Sequence, residues 1–413
     1  MNTQKALVTV VLLLMCLMSS IAVASNSVTL TMWHYWDGAN GKVLEELIER
    51  FEEENPDINI EAIFVPGSDL MTKLRTGMVA NQVPDIAVVD LINMPMLVRS
   101  GRLVPLDDFI AASSLDLSDF YSAPMSYGEY EGKRYSLPVS ASNLGLYWNK
   151  NLFAQAGLDP DTPPKTWDEL IEFSKQIKKE TGKWGFELYT QGGEGTTWQW
   201  QVFLWSAGGE FLSADLTSPA FNSEAGEMAL ELWIDMIGEH QVSTIAPWGL
   251  FGRGEAAMVM DGSWMTEFFP MQVDFPLGAA VFPAPTDGEP ATNMGGEQIF
   301  IMSPNADAQE AAWRFIEWFV STSVQVEWNK GTGFIPVLRS VSEDPSYLAW
   351  VANARPLLRP FVEAQQHAHA RPAVENYAQI SDIVARYIVE ALYGRRSARD
   401  ALDYAADLVK DLL

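Results

Sequence analysis

Apolar residues in the first quarter of the chain alternate between short continuous runs and runs at helical spacing. Residues 28–33, 58–65 and 86–89 are rich in Val, Ile and aromatic side chains, which predicts three β-strands. Between these strands, residues 42–54 and 70–79 carry apolar side chains three and four positions apart, which predicts two helices. The order strand, helix, strand, helix, strand is typical of a parallel sheet covered by helices, so the pattern predicts an α/β fold.

Capping signals and amphipathic patterns extend this prediction along the chain. Further helices are expected at residues 166–181, 223–237, 307–319 and from 397 to the C-terminus. Thr166 and Glu169 have the spacing of a reciprocal capping box, and Gly182 is expected to end that helix. Residues 134–148 resemble a further strand, and the Pro- and Gly-rich stretch 282–296 predicts a crossing between two parts of the molecule.

The first 24 residues predict a secretory signal peptide. Lys5 is followed by the apolar run 6–18, and the Ala-Val-Ala sequence at 22–24 offers a cleavage site. A membrane span needs about 20 apolar residues, and this run is shorter. An uncleaved membrane anchor or a lipid on Cys16 is the alternative. Cleavage would remove Cys16, the single cysteine, so no disulfide is expected.

The charge balance excludes some partners. The 413 residues include 54 Asp and Glu against 27 Lys and Arg, a formal net charge of −27. Nucleic acids and anionic membrane surfaces are bound by clustered cations, so neither is expected as a partner. The length predicts two or three domains of ordinary globular composition, with 48% hydrophobic residues.

Motifs for catalysis, nucleotide binding or metal binding are missing from the sequence. The phosphate-binding loop, the Gly-rich dinucleotide motif, the serine-hydrolase elbow and the zinc-protease motif do not occur. Among the four histidines, His367 and His369 alone have a spacing that could suit a metal, but no third ligand accompanies them. No catalytic residue, cofactor or metal is therefore predicted.

Aromatic residues are the strongest chemical signal. The chain has 15 Trp, and several occur near predicted strand ends or in Gly-rich segments. Trp313 and Trp318 lie on a predicted helix and are expected in the core. A Trp beside Asp, Asn or Ser can offer a flat apolar face next to hydrogen-bonding groups, which suits the faces and hydroxyls of a sugar.

Seven segments in a fixed order resemble one protein family. They are residues 31–58, 70–90, 144–178, 203–211, 251–264, 295–303 and 332–337. The most specific is LGLYWNKNLFAQAGLDPDTPPKTWDELIEFSKQIK, which begins at Leu144. Together they resemble the extracellular solute-binding proteins of ABC sugar importers, a group that includes the maltose-binding and glycerol-phosphate-binding proteins.

The resemblance implies two α/β lobes joined by a hinge, with the ligand in the cleft between them. The expected crossings lie near residues 139–141, 292–296 and 334–339. The implied division assigns residues 25–139 and 296–336 to the N-terminal lobe, and residues 140–295 and 337–413 to the C-terminal lobe.

The resemblance also implies which residues bind the ligand. They are His34, Trp36, Asp37, Asp90, Ser142, Asn143, Trp198, Trp264, Gly295, Gly296, Glu297 and Phe334. Simpler structural roles stay open for some of them, since Asp37 and Asp90 could cap the helices that follow and Trp264 could be a core residue. Phe334 stands where some relatives have Tyr, so a hydroxyl contact there is in doubt.

One position bears on the ligand class. Ser381 stands where relatives that bind glycerol phosphate carry an Arg, and a phosphate needs such a guanidinium. A neutral mono- or oligosaccharide is therefore expected, with glycerol phosphate or a related polyol as the alternative. A secreted glycoside hydrolase with Asp37 and Asp90 as its carboxylate pair is a more remote alternative.

The expected mechanism is capture without chemistry. The ligand would shift the lobes towards a closed state, which an ABC permease in the membrane would recognise. The protein is expected to be a periplasmic monomer, and an additional role as a signalling receptor is left open.

Overall fold

The computed structural model describes residues 27–413, so the predicted signal peptide lies outside the described residues. Within this part of the chain the strands are β1 (Val28–His34), β2 (Ile58–Phe64), β3 (Ile86–Asp90), β4 (Glu129–Tyr130), β5 (Lys133–Arg134), β6 (Leu137–Asn149), β7 (Trp184–Glu187), β8 (Ala256–Gly262), β9 (Leu277–Ala280), β10 (Thr292–Ile301) and β11 (Ala368–Ala370).

The helices lie between and around these strands. They are α1 (Gly38–Glu54), α2 (Gly67–Ala80), α3 (Met94–Arg99), α4 (Asp107–Ala112), α5 (Ser122–Met125), α6 (Lys150–Gln155), α7 (Trp167–Thr181), α8 (Gly193–Ser206), α9 (Glu224–Ile237), α10 (Met265–Gln272), α11 (Ala306–Phe319), α12 (Thr322–Thr332), α13 (Arg339–Ser342), α14 (Pro345–Ala354), α15 (Arg359–Ala364), α16 (Tyr377–Leu392) and α17 (Ala398–Val409). Short 3-10 turns add to these, including Leu91–Asn93 directly after β3.

Nine strands form one mixed sheet in the order β2-β1-β3-β10-β6-β8-β7, with β11 beside β10 and β9 beside β6. The pairs β1–β2 and β1–β3 are parallel, as the sequence pattern predicts for strands joined by helices. The central strands β10 and β6 run antiparallel to each other and to their outer neighbours β3 and β8. Strands β4 and β5 form a separate hairpin.

Strands β6 and β10 cross between the two halves of the sheet. Every residue of both strands is buried, which fits their position at the centre of the molecule. Gly296 pairs with Ala141 at the crossing and has a φ of 137°. A Cβ at Gly296 would lie 2.2 Å from the Ser140 carbonyl oxygen, so only glycine fits there. Ile335 donates its N–H to the Ala141 carbonyl at 3.0 Å and brings a third chain segment to this point.

The buried apolar side chains form two clusters, which we call the first and second cores. The first core contains Leu44, Phe51 and Trp328 and lies around β1–β3, α1 and α11–α12. The second core contains Trp200 and Trp233 and lies around α7–α9, α16 and α17. The molecule therefore has two lobes, each built on its own core.

The chain between the third expected crossing and α16 packs on the first core. Val337, Tyr347 and Phe361 all belong to the first core, although residues 337–413 were assigned to the C-terminal lobe. Residues from Tyr377 onwards belong to the second core. The first core also contains Tyr147 and Phe269, from segments assigned to the same C-terminal lobe, so it extends across the crossing.

Local sequence signals account for most element ends. Gly182 ends α7 in the left-handed conformation with a φ of 71°, as predicted. The Thr166 hydroxyl accepts the Glu169 N–H at 3.2 Å, but the Glu169 carboxylate accepts the N–H of Lys165, at 2.6 Å, instead of that of Thr166. The predicted reciprocal box is therefore half right. Helix α11 begins at Ala306 and is capped by Asn305, whose side-chain oxygen accepts the N–H groups of Asp307 and Ala308.

Candidate functional site

A charged cluster lies where the two lobes meet. Arg371 follows β11 and its side chain is 6% exposed. Its Nη1 lies 2.8 Å from Oε1 of Glu194, at the start of α8, and its Nη2 lies 3.4 Å from Oδ1 of Asp90, at the end of β3. Since Asp90 belongs to the first lobe and Glu194 to the second, this guanidinium joins the lobes. Burial alone would lower the pKa of Arg371, but the two carboxylates raise it overall.

A buried carboxyl group lies beside this ion pair. Glu297 on β10 pairs in register with Asp90, and its Oε1 accepts the Tyr35 hydroxyl at 2.7 Å. Burial raises the pKa of Glu297 to about 8, although the hydrogen bond from Tyr35 opposes the rise. This carboxyl is therefore largely protonated near neutral pH. We call Tyr35, Asp90, Glu194, Glu297 and Arg371 the crossing cluster.

Helix α16 holds Glu194 from the other side. The Ser381 hydroxyl donates to Oε2 of Glu194, and the Tyr377 hydroxyl donates to Oε1 at 3.2 Å. Ser381 is fully buried. The position that could carry a phosphate-binding Arg is thus occupied by a hydroxyl that fixes a carboxylate.

Three side chains form a stack between the crossing cluster and the second lobe. The guanidinium carbon of Arg371 lies 5.5 Å from the centre of the Trp198 ring. Trp198 also stacks on Trp264, with ring centroids 5.5 Å apart and planes 9° from parallel. Trp198 therefore connects the charged crossing to the aromatic region beyond it.

That aromatic region surrounds a cavity of about 390 Å³ between α8, β8 and α10, which we call the β8 cavity. It is lined by Leu144, Glu187, Tyr189, Gly195, Trp198, Gln199, Trp248, Gly249, Phe251, Gly252, Val259, Asp261, Trp264, Met265, Phe269 and Gln272. Phe251, Val259 and Phe269 belong to the first core, whereas Trp198 and Trp264 pack against the second. The cavity thus lies where the two cores meet.

Two carboxyl groups line the β8 cavity in different ways. Glu187 at the end of β7 accepts the N–H groups of Gly249, Leu250 and Phe251 at 2.6–2.8 Å, so it holds the loop that carries Trp248. Asp261 on β8 accepts only the N–H of Gly262, at 2.7 Å, among the described residues. Burial raises the pKa of both groups, and that of Asp261 reaches about 7.

The structure brings half of the expected site residues together at the crossing. They are Asp90, Ser142, Trp198, Gly295, Gly296 and Glu297. A Cβ at Gly295 would lie 2.6 Å from the Ser142 hydroxyl and 3.5 Å from the Trp198 ring, so a side chain there would fill the space between them. Trp264 joins this group through its stack on Trp198.

The other expected residues lie elsewhere or have other contacts. Trp36 is buried and its ring lies 4.6 Å from that of Trp328, which also stacks with Phe334 at 5.9 Å. His34 is buried beside Trp36, with ring centroids 6.2 Å apart. Asn143 and Asp37 are the two polar residues of this group. Asn143 donates its side-chain amide to the Phe361 carbonyl at 2.9 Å. Asp37 is exposed before α1, and its side chain caps no N–H of that helix.

Several members of the site were missed by sequence analysis. Arg371 and Glu194 are distant from the quoted segments, and neither has a local motif. Tyr189 and Trp248 come from loops, where no periodicity marks a residue as facing a cavity. The Gly-rich stretch before α8 was the one available signal, since it places Glu194 at a helix start.

Neither a metal site nor a membrane span is found in residues 27–413. No group of three or more His, Cys, Asp or Glu side chains there is arranged to hold a metal ion. His369, considered above as a ligand, stacks on Trp205 with ring centroids 4.9 Å apart. No helix in the same residues has the length and apolar character needed to cross a membrane.

This combination of two lobes, crossing strands and an aromatic cavity matches a known family. The model of the bacterial extracellular solute-binding proteins matches residues 35–326. The chain belongs to this family, and it is therefore a solute-binding protein of the two-lobe periplasmic binding fold and not an enzyme.

Individual relatives are similar over almost the whole chain. A crystal structure of a cyclic α-maltosyl-1,6-maltose binding protein from Arthrobacter globiformis is 43% identical, with a TM-score of 0.89 over 94% of this chain and 99% of that one. A putative binding protein of Brucella abortus is 27% identical over 93% of both chains. An sn-glycerol-3-phosphate-binding periplasmic protein of Salmonella typhimurium is 24% identical over 93% of this chain and 92% of its own.

Proposed function

We propose that this protein is the substrate-binding component of an ABC importer and that it captures a neutral carbohydrate, an oligosaccharide above all, between its lobes. The observation that carries the proposal is the β8 cavity of the second lobe, which adjoins the interlobe ion pair through Trp198 and where Tyr189, Trp248 and Trp264 offer ring faces beside the Asp261 carboxyl. Aromatic faces and a few polar groups are what a sugar pocket needs. The Arthrobacter globiformis relative, a cyclic α-maltosyl-1,6-maltose binding protein, supports the same class.

The crossing cluster argues against an anionic ligand. Arg371 is already bound to Asp90 and Glu194, and Ser381 donates to Glu194 instead of supplying a second cation. A phosphate placed here would meet two carboxylates and would have to displace one of them from the guanidinium. Glycerol phosphate, suggested by the Salmonella relative, is therefore the second candidate.

We propose that the ligand acts by stabilising the closed arrangement of the lobes. Asp37 and Asp90 would contribute contacts from the first lobe, and Trp198 and Trp264 from the second. A ligand that touches both lobes binds the closed state better and shifts the population towards it. The fixed crossing of β6 and β10 at Gly296 would serve as the hinge, with Ile335 as its third segment.

The cellular setting and the lobe boundaries are part of this proposal. The protein would be exported to the periplasm through cleavage of residues 1–24, act as a monomer and deliver its ligand to a membrane permease. The first lobe would comprise residues 25–139 and 296–336. The second lobe would comprise residues 140–295 and 337–413.

A thermal-shift screen of residues 25–413 tests the proposal. The panel contains maltose, maltotetraose, cyclic maltosyl-maltose, trehalose and tagatose, with glycerol 3-phosphate and amino acids as comparators. A ligand at 100 times its dissociation constant stabilises the folded state by about 2.7 kcal/mol, so a positive result is easily seen. Stabilisation by glycerol 3-phosphate and by no sugar would contradict the proposal and favour the second candidate.

A further inference from the structure

The β8 cavity contains a carboxyl oxygen without a partner. Oδ1 of Asp261 accepts the Gly262 N–H, and no donor reaches Oδ2 from any described residue. Asp261 sits on β8 between Met260 and Gly262, where the sheet fixes its direction. Oδ2 is therefore available to a ligand.

A second acceptor lies beside it. Gln199 on α8 is 5% exposed and donates Nε2 to the carbonyl of Met260, the residue before Asp261, at 2.8 Å. This bond fixes the amide, and its Oε1 is buried without a hydrogen-bond partner. A buried acceptor without a donor costs free energy, so a ligand donor that reaches this oxygen would gain a full hydrogen bond.

The remaining groups of the cavity decide which kind of donor fits. None of the described lining residues is Lys, Arg or His, so an anion finds no counter-charge. The indole N–H of Trp198, which also lines the cavity, has no partner. An ammonium group could only donate, whereas a hydroxyl can donate to Asp261 or Gln199 and accept from Trp198. The polar groups of the cavity therefore favour ligand hydroxyls over a protonated amine.

We propose that Asp261 and Gln199 form an acceptor pair that holds neighbouring hydroxyl groups of one sugar ring in the β8 cavity and thereby determines specificity. This inference rests on the proposed function, since it assigns the donors of a carbohydrate ligand to these two side chains. The ring lies against Trp264 while its hydroxyls reach the strand behind. Deoxy sugars without these hydroxyls are rejected because both acceptors then stay unpaired.

The charge environment of Asp261 makes the affinity of the acceptor pair for hydroxyl groups depend on pH. Glu187 faces it from β7, and Tyr147 faces it from β6. Arg253 lies behind Glu187 and lowers the pKa of that group instead. Burial raises the pKa of Asp261 to about 7. Hydroxyls that donate to the ionised carboxylate favour that form, so affinity rises as the pH rises through about 7.

Titration calorimetry of residues 25–413 with maltotetraose and with cyclic maltosyl-maltose tests the pair. The variants are Asp261→Asn, which keeps the Gly262 bond, and Gln199→Met. Each is expected to weaken binding about 10-fold, as loss of a ligand bond to a charged or buried group does. Asp407→Asn, an exposed carboxylate on α17 whose side chain is 72% exposed, is the matched control and leaves affinity unchanged.

The pH profile separates a ligand contact from a structural role. Wild-type affinity is expected to fall several-fold from pH 8.5 to pH 5.5, and the Asp261→Asn profile is expected to be flat over the same range. A monodeoxy analogue that binds the wild type weakly should lose nothing further in Asp261→Asn if its missing hydroxyl is the partner. Such non-additivity between the change in the sugar and the change in the protein would identify the hydroxyl that donates to Asp261.

The outcomes distinguish a failure of the acceptor pair from a failure of the proposed function. If the wild type binds a saccharide and both variants bind it equally well at both pH values, the acceptor pair is wrong and the proposed function stands. If the wild type binds neither saccharide and no other sugar of the panel, the proposed function fails, and the pair fails with it. Thermal unfolding of each variant without ligand checks that both are folded.

Discussion

The crossing cluster and the β8 cavity are neighbours, but their polar groups differ in how far they are paired. At the crossing, Arg371 has two carboxylate partners and Glu297 has a hydroxyl donor, while Arg371 Nε and Glu297 Oε2 have no hydrogen-bond partner. In the cavity, Asp261 has one backbone donor and Gln199 has an acceptor without any. Trp198 separates the two regions, with the guanidinium on one side and Trp264 on the other.

The difference indicates a division of tasks. Groups that are paired with one another hold the protein in a given arrangement, and they gain less from a ligand than unpaired groups do. Groups that are buried and unpaired gain a full hydrogen bond when a ligand arrives. We therefore expect changes in the crossing cluster to alter stability and lobe closure, and changes in the β8 cavity to alter affinity.

The largest expected effect is on the pH dependence of stability through Glu297. Its folded pKa of about 8 lies above the ordinary value of 4.5, so the folded state holds this proton more tightly than the unfolded state. The resulting stability is fully present below about pH 4.5 and is lost as the pH rises through about 8. Glu297→Gln should match the wild type at pH 5 and be more stable at pH 9 by on the order of 3 kcal/mol.

Urea unfolding at pH 5, 7 and 9 measures this difference. Glu310→Gln, an exposed carboxylate on α11, is the control, and its stability should differ from the wild type by the same small amount at each pH. A constant difference for Glu297→Gln as well would mean that the carboxyl is not protonated in the folded protein.

The second effect is the loss of the interlobe ion pair. Arg371→Met leaves Asp90 and Glu194 without their cation and removes the layer that covers Trp198. Because these carboxylates are 43% and 39% exposed, water compensates in part, and we expect a loss of about 2 kcal/mol instead of the 3–5 kcal/mol of a fully buried pair. Thermal unfolding measures the stability, and small-angle scattering of the unliganded protein measures opening of the lobes.

Arg386→Met is the matched control for this experiment. Arg386 is exposed on α16 and lies over the Tyr387 ring at 5.5 Å, far from the crossing cluster in the described contacts. An unchanged scattering profile for Arg371→Met would show that the ion pair does not hold the lobes together.

The third effect concerns affinity through Trp264. Trp264→Ala removes a ring face of the β8 cavity and the partner of Trp198, and we expect about 30-fold weaker sugar binding, since truncation of an aromatic anchor costs about 2 kcal/mol. Trp318→Ala, a partly buried ring on α11, should leave affinity unchanged. Calorimetry with the best ligand of the panel measures the affinity of both variants. Equal losses of affinity in the two variants would indicate a general loosening of the fold.

The sequence predicts the lobes better than it predicts these two regions. Strand and helix patterns are local, so β1–β3 and α1–α2 follow from spacing, although α1 begins at Gly38 and not near residue 42 because its first turn is not apolar. The family segments give the crossing at Gly295–Gly296. Arg371 and Glu194, in contrast, become partners only when β11 pairs with β10 and places residue 371 opposite α8. That proximity is tertiary and has no local signal.

Residues at strand ends show a second limit. Trp36 and Phe334 come from segments that match the family, yet both rings pack against Trp328. An aromatic residue after a strand can face the cleft or the core, and the spacing is identical in both cases. Partners from distant segments decide between them, and here α12 supplies Trp328.

The smallest expected effect tests what the first lobe adds to binding. Asp37 is exposed at the start of α1 and caps none of its N–H groups, so Asp37→Ala should change stability by less than about 0.5 kcal/mol. If its carboxylate meets a ligand hydroxyl when the lobes close, affinity should fall about fivefold, the cost of one hydrogen bond. Asp108→Asn, an exposed acidic residue of α4, controls for the change of charge. Calorimetry that finds unchanged affinity in both variants would assign ligand recognition to the β8 cavity and leave the first lobe to act through the crossing cluster alone.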